Sequence, residues 1–339
     1  MAPFIDLLTD LTARLEIEPH RLKEIIDESA TRLESSIAGY GFQFAILRAT
    51  SKLSSEGAIN DGLQGIGMLH EIRRVARLKE AELGEVISRL QEIRMALFRR
   101  NAIHIVVTCE PSMIEPISER LNGLVEALPD GISDGHVQKP SPLARASEAR
   151  TAPLPVAFNV RGFKTVRYTH PDAPALLVLA NYLRDTFLHR ELREKGGAYG
   201  AVAQASIGGG TFYMASYRDP EVVRTYDTFD RAAAWVIEGE ITDETLKEAI
   251  LGACGDVDPL ESPDIKGRRE ATNRLTGFTR VERERFKKRL LEVSAADLRR
   301  IAVAYLSNEG HAQATVAGSE LIESARKERP GLFEVVAPV

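Results

Sequence analysis

At 339 residues, 44% hydrophobic and 27% charged, the chain is long enough for two domains with real cores, and its composition argues against wholesale disorder. A net charge of −5 and a pI near 5.9 argue against a surface built for nucleic acid or an anionic membrane. Only two cysteines occur, Cys109 and Cys254, which excludes a disulfide framework or a Cys-rich zinc module and fits a reducing compartment.

The N-terminal stretch MAPFIDLLTDLTARLEIEP lacks the basic region and apolar run of a secretory signal, and no apolar stretch approaches the roughly 20 residues that span a bilayer. A soluble protein of the cytoplasm or an organelle matrix is expected. Between His20 and Ala38 the apolar residues Leu22, Ile25, Ile26, Ala30, Leu33 and Ile37 recur at three- and four-residue steps, so a helix is predicted, opened by Pro19. Further helices are predicted at Ala58 to Ala76 and Glu80 to Phe98. The period then changes. Ile103 to Val107 reads as a short strand ending near Cys109, and Pro111 to Leu128 as another helix. Both cysteines read as small buried residues. One strand cannot make a sheet, so either its partners are absent from this chain or the pattern hides them.

Prolines 129, 140, 142, 153 and 155 among small and polar neighbours mark 129–155 as an interdomain linker. The second module is predicted to open with a strand at Val156 to Val160 and a helix at Ala173 to Arg193. A hairpin follows, Tyr199 to Ser206 and Thr211 to Tyr217, turning at Gly208 to Gly210. Helices are then expected at Glu221 to Glu238, Asp243 to Ala253, Pro263 to Thr276, Arg280 to Leu291 and Ala295 to Tyr305. Ser294 and Asp297 have capping-box spacing at the last of these. A strand at Ala312 to Val316 and a helix at Glu320 to Glu328 complete an α+β pattern. The expected domains are 1–128, mostly helical, and 156–339.

Chemistry-bearing motifs are sparse. The closest pair of the seven histidines, His170 and His189, is 19 residues apart, so neither HExxH nor HxxEH is present. There is no Gly-x-Ser-x-Gly elbow, and the glycine run at 208 to 210 lacks the Lys-Ser/Thr of a phosphate loop. The most informative segment is Leu192-Arg193-Glu194-Lys195-Gly196-Gly197-Ala198-Tyr199-Gly200, at the junction of an apolar helix and a strand. Arg193 and Tyr199 are both hydrogen-bond donors and together could polarise a carbonyl or hold an oxyanion. Taken alone, the segment reads more simply as a glycine C-cap with Arg193 at the negative end of the helix dipole.

LREKGGAYG, then GGGTFYMASYRDP, then GDVDPLESPDIKG, in that order, resemble the C-terminal half of presequence proteases, inverted zincins of the pitrilysin/insulinase group. The resemblance extends through ESSIAGYGFQFAILRAT and IHIVVTCE. It implies α+β modules of a clamshell, with helices packed on an antiparallel-rich sheet. The first of the two modules here, 1–128, would be incomplete. It implies a zinc oligopeptidase that degrades unfolded peptides, with Arg193 and Tyr199 stabilising the scissile carbonyl and Gly196, Gly197 and Ala198 binding substrate. The zinc and the general base would come from an N-terminal half not in this chain. No cofactor is therefore expected here, and the chain alone is expected to be inactive. The expected partners are an unfolded peptide, the zinc-binding half and, through exposed module surface, a second copy; nucleic acid and membrane are not expected. The alternatives are a metal-free scaffold or partner subunit of the same fold, and an unrelated module that binds peptides by strand addition.

Overall fold

The computed structural model describes residues 2–131, 140–144, 146–306 and 310–339. In the first third lie α1 (Ala2–Thr9), α2 (Pro19–Thr50), α3 (Ser55–Gln64), α4 (Ile66–Ala76), α5 (Gly84–Leu97) and α6 (Ile114–Ala127). Then come β1 (Glu148–Thr151), β2 (Ala157–Lys164), α7 (Ala173–Leu183), β3 (Gly200–Ser206) and β4 (Thr211–Asp219). The remaining elements are α8 (Val223–Glu238), α9 (Asp243–Val257), α10 (Pro263–Thr276), α11 (Arg280–Leu291), α12 (Ala295–Tyr305), β5 (Ala312–Ala317), α13 (Ser319–Glu328) and β6 (Val335–Pro338).

Local signals set most boundaries. Pro19 opens α2, and α12 carries the full capping box, with the Asp297 amide donating to Ser294 Oγ and the Ser294 amide donating back to the Asp297 carboxylate. Tertiary contacts set others. Past Ala38, α2 continues through Gly39 and Gly41 because the helix lies hard against Phe158: a Cβ on Gly41 would sit 2.7 Å from the ring. The expected helix Ala58 to Ala76 is two helices. Ser54 caps α3 by accepting from the Gly57 amide at 3.0 Å, and Gly65 takes extended backbone between α3 and α4.

Two compact units divide the chain, one of 1–32, 72–138 and 260–277, the other of 33–71, 139–259 and 278–339. The first is helical. Ile26, Val75 and Leu83 form a small core, with Leu22, Leu78 and Ile87 packed against it. A cavity of about 430 Å³ is lined by Leu11, Leu15, Ile25, Ile93 and Leu97, all of them exposed. The strand expected at Ile103 to Val107 is not formed. No described strand pairs with the segment, the Ile103 amide donates instead to the Arg99 carbonyl at 3.1 Å, and Ile105, Val106 and Val107 are exposed. A strand needs a neighbour to satisfy its amides and carbonyls, and the β-branched run alone does not make one. Cys109 is likewise exposed rather than buried, for want of that neighbour, while Cys254 is half-buried against the other unit's core.

The second unit holds a six-stranded mixed sheet in the order β3-β4-β2-β5-β1-β6. The first four strands pair antiparallel, and β1 is parallel to both β5 and β6. Its core joins sheet residues Phe163, Phe212 and Met214 to α7, every residue of which is buried, and to Tyr226, Phe229 and Leu298 of the surrounding helices. Strand β1 lies inside the stretch read from sequence as linker; residues 132–139 and 145 of that stretch lie outside the described residues. Its alternation puts Ala149 in the apolar core and Glu148 and Arg150 on the other face. There Glu148 receives Arg48 Nε at 3.0 Å, Lys52 Nζ at 2.9 Å and the guanidinium of Arg150, while Arg48 also reaches Asp61 at 3.0 Å. Among the described residues no helix is long and apolar enough to cross a membrane.

Candidate functional site

The apolar run of α7 carries the chain through the core, and the helix then widens into π geometry over Arg184–Glu194. Its last amide bond is of the i→i−5 type, Lys195 N–H donating to the Arg190 carbonyl at 3.1 Å. Such widened turns are rare and concentrate at functional sites. The chain then reverses in three residues. Gly197 N–H donates to the Arg193 carbonyl at 3.2 Å and Ala198 N–H to the Leu192 carbonyl at 2.9 Å. Both glycines are required here. A Cβ on Gly196 would lie 2.6 Å from the Leu192 carbonyl oxygen, and Gly197 has φ of +80°, in the left-handed region.

Arg193 is the penultimate residue of the π-helical segment and Tyr199 immediately precedes β3, with the closed turn between them. Both side chains face solvent, Tyr199 being 67% exposed. Tyr199 is nevertheless supported. Its amide donates to the Arg218 carbonyl at 3.3 Å, and its ring meets Tyr217 edge-on with centroids 5.9 Å apart. Tyr217 in turn packs on Phe42 of α2 at 5.2 Å and Phe158 of β2 at 5.4 Å, so the Tyr199 ring rests on the edge of an aromatic cluster. Arg218 has φ of +50°, the one described non-glycine residue with positive φ, and its guanidinium lies over the Tyr217 ring. Of the three residues expected to line substrate, Gly197 is exposed, Gly196 half-buried and Ala198 buried, so Ala198 has only its backbone to offer.

Charged groups flank the turn. Arg193 Nη1 lies 3.1 Å from His189 Nε2, and His189 Nδ1 lies 3.5 Å from Glu194 Oε1. On the inner side Glu191 accepts from Lys195 at 2.7 Å and Arg190 at 3.3 Å; the Lys195 hydrogen bond comes first among the causes that lower its pKa. Nothing in the sequence singles out His189, one of seven scattered histidines, or joins Phe42 to Tyr217, 175 residues away in the chain. For Phe42 a signal existed: Gly39-Tyr-Gly41-Phe42 places a small residue where a helix approaches a ring. Among the described residues no group of three or more His, Cys, Asp or Glu is placed to hold a metal ion, so this donor set does not fit a zinc site.

Comparison with known proteins gives two family profiles. One is the "PreP C-terminal domain", matched over residues 156–317, and the other is the associated region of M16 peptidases of subfamily C, matched over 2–75. The chloroplastic/mitochondrial presequence protease 1 of Arabidopsis thaliana is 28% identical over 320 residues, which cover 94% of this chain and 30% of that protein. The mitochondrial presequence protease of Yarrowia lipolytica is 34% identical over 292 residues, 85% of this chain and 29% of that one. The chain thus spans about 30% of the length of these relatives. Among solved structures, the inactive domain of an M16 peptidase from Pseudomonas fluorescens superposes with a TM-score of 0.66 at 15% identity, covering 94% of this chain and 74% of that one. Pitrilysin superposes with a TM-score of 0.60 at 13% identity, covering 99% of this chain and 34% of that one. These two likenesses bear on the fold.

Proposed function

The chain belongs to the presequence protease family, whose C-terminal portion it represents, and from that premise we propose that it is the substrate-clamping part of a zinc-dependent oligopeptidase acting on unfolded peptides. The observation that carries this reading is the turn itself: two exposed donors, Arg193 and Tyr199, at a bend that needs glycine at 196 and 197 and whose phenol ring packs edge-on against the half-buried Tyr217. The Tyr199 hydroxyl donates to the oxygen of the scissile carbonyl as charge develops there, and Arg193 grips substrate backbone beside it. Loss of one such donor typically lowers the rate about 10²–10³-fold. Gly196 and Gly197 let an extended peptide approach the backbone.

In this reading the ion and the general base come from polypeptide outside this chain, because the described residues provide no ligand set. The two-module clamshell, with an incomplete first module, is part of the same proposal. So is a location in the cytoplasm or an organelle matrix.

The direct test titrates an unstructured peptide onto the chain labelled at arginine and tyrosine. Resonances of Arg193 and Tyr199 are expected to shift together; a peptide that saturates the chain and leaves both unmoved refutes the clamp. The purified chain supplied with zinc is expected to cleave no peptide, and zinc-dependent cleavage by it refutes the division of labour. An HxxEH-bearing segment in frame just upstream in the coding DNA distinguishes the enzyme part from a metal-free scaffold.

A further inference from the structure

The reading of Arg193 as a substrate grip raises a physical difficulty, and the answer to it rests on that reading. An exposed arginine is mobile, and a free guanidinium must surrender its rotamer freedom each time it binds. Here it is not free, since Nη1 lies 3.1 Å from His189 Nε2. A guanidinium has only donors, so Nε2 is the acceptor and a neutral His189 ring carries its proton on Nδ1. That nitrogen faces Glu194 Oε1 at 3.5 Å. The imidazole therefore sits between a carboxylate and a guanidinium, and its tautomer suits both.

The π-helical register makes this placement available. In an α-helix the residue at i+4 lies close to residue i around the axis, but the one at i+5 is swung roughly 140° away. Bonding of the i→i+5 type over Arg184–Glu194 widens the turn, so that Arg193 at i+4 and Glu194 at i+5 both flank His189. We infer that His189 is a positioning residue, holding the Arg193 guanidinium ready for the peptide, and that the π turn exists in this helix to bring the three side chains together. The imidazole itself touches no substrate.

Fixing one rotamer-rich side chain in advance is worth about two- to tenfold in affinity. The test uses the complete chain with four variants, His189→Ala, His189→Gln, Arg193→Ala and the double His189→Ala/Arg193→Ala. Imidazole nitrogen shifts of the parent at pH 8 are expected to show His189 Nε2 unprotonated. Affinity for an unstructured fluorescent peptide is expected to fall about two- to tenfold in His189→Ala. Glutamine, whose amide oxygen can take the place of Nε2, is expected to restore most of it. The double variant should bind no worse than Arg193→Ala, because His189 acts only through that residue. Thermal unfolding of all four should match the parent. If His189→Ala binds like the parent while Arg193→Ala is weakened, the positioning role is overturned and the grip survives. If Arg193→Ala binds like the parent, the grip fails and takes the positioning role with it. A lowered melting temperature in His189→Ala with unchanged affinity makes the histidine a local helix cap and overturns the inference.

Discussion

Replacing Glu148 by glutamine removes the one carboxylate that three cations share. Glu148 is 3% exposed and Lys52 2%, and Arg48 and Arg150 close on the same group. After the change, the ion pair that Arg48 makes with Asp61 remains, and Lys52 and Arg150 lose their pairing with the carboxylate at 148. Lys52 would still donate to the Ala146 carbonyl at 2.6 Å, so the loss is of charge balance more than of hydrogen bonds. Breaking a buried pair by neutralising one partner costs about 3–5 kcal/mol, and the variant is expected to be less stable by that order in urea unfolding at pH 7. The pH dependence has a definite sign. Burial alone would raise the Glu148 pKa, but hydrogen bonds from Arg48 and the charge of Lys52 outweigh it and hold the group at about 2 against an ordinary 4.5. A depressed carboxylate stabilises the fold fully above its unfolded value and loses that contribution as pH falls towards the folded one. The parent's advantage over Glu148→Gln should therefore be full above pH 4.5 and shrink towards pH 2. A variant within about 1 kcal/mol of the parent at neutral pH would show the cluster behaving as a solvated surface network and refute the reasoning.

Gly196→Ala drives a Cβ to 2.6 Å from the Leu192 carbonyl oxygen and should lower stability by about 1–3 kcal/mol in thermal unfolding, with the Tyr199 resonance displaced. Tyr199→Phe removes an exposed hydroxyl and keeps the ring on Tyr217, so stability should stay within about 0.5 kcal/mol while the peptide-induced response at that site is lost. The exposed Leu11, Leu15, Ile25, Ile93 and Leu97 around one cavity should make the chain self-associate as its concentration rises. Light scattering that stays monomeric at high concentration counts against that.

What the sequence made legible is what short-range chemistry dictates. The hairpin of β3 and β4, the glycine turn before Tyr199 and the Ser294 capping box each depend on residues within a few positions of one another. Strand β1 was hidden because Glu-Ala-Arg-Thr has the composition of a loop; Glu148 and Arg150 become interior residues only when Arg48 and Lys52 arrive from about 100 positions away. Gly39 and Gly41 argue against a long helix by propensity, yet α2 passes through both, since the space beside Phe158 admits no side chain at Gly41. The run Ile103 to Val107 errs the other way: its strand propensity is real, but propensity supplies no hydrogen-bonding neighbour.

The same contrast bears on the proposed site. A search by α-helical period treats His189, Arg193 and Glu194 as three unremarkable surface residues, because period 3.6 puts the first two together and sends the third away. Only the widened turn joins them, and it is formed where the buried run of α7 gives way to the charged stretch Arg184–Glu194. The contacts that shape this turn, from the Leu192 and Arg193 carbonyls to the Tyr217, Phe42 and Phe158 rings, all lie within the second compact unit. The turn and the Tyr199 ring are thus held by that unit's own packing, as a preorganised donor in the proposed site requires. Substitutions in the turn should accordingly act on peptide binding directly, without passing through the helical unit.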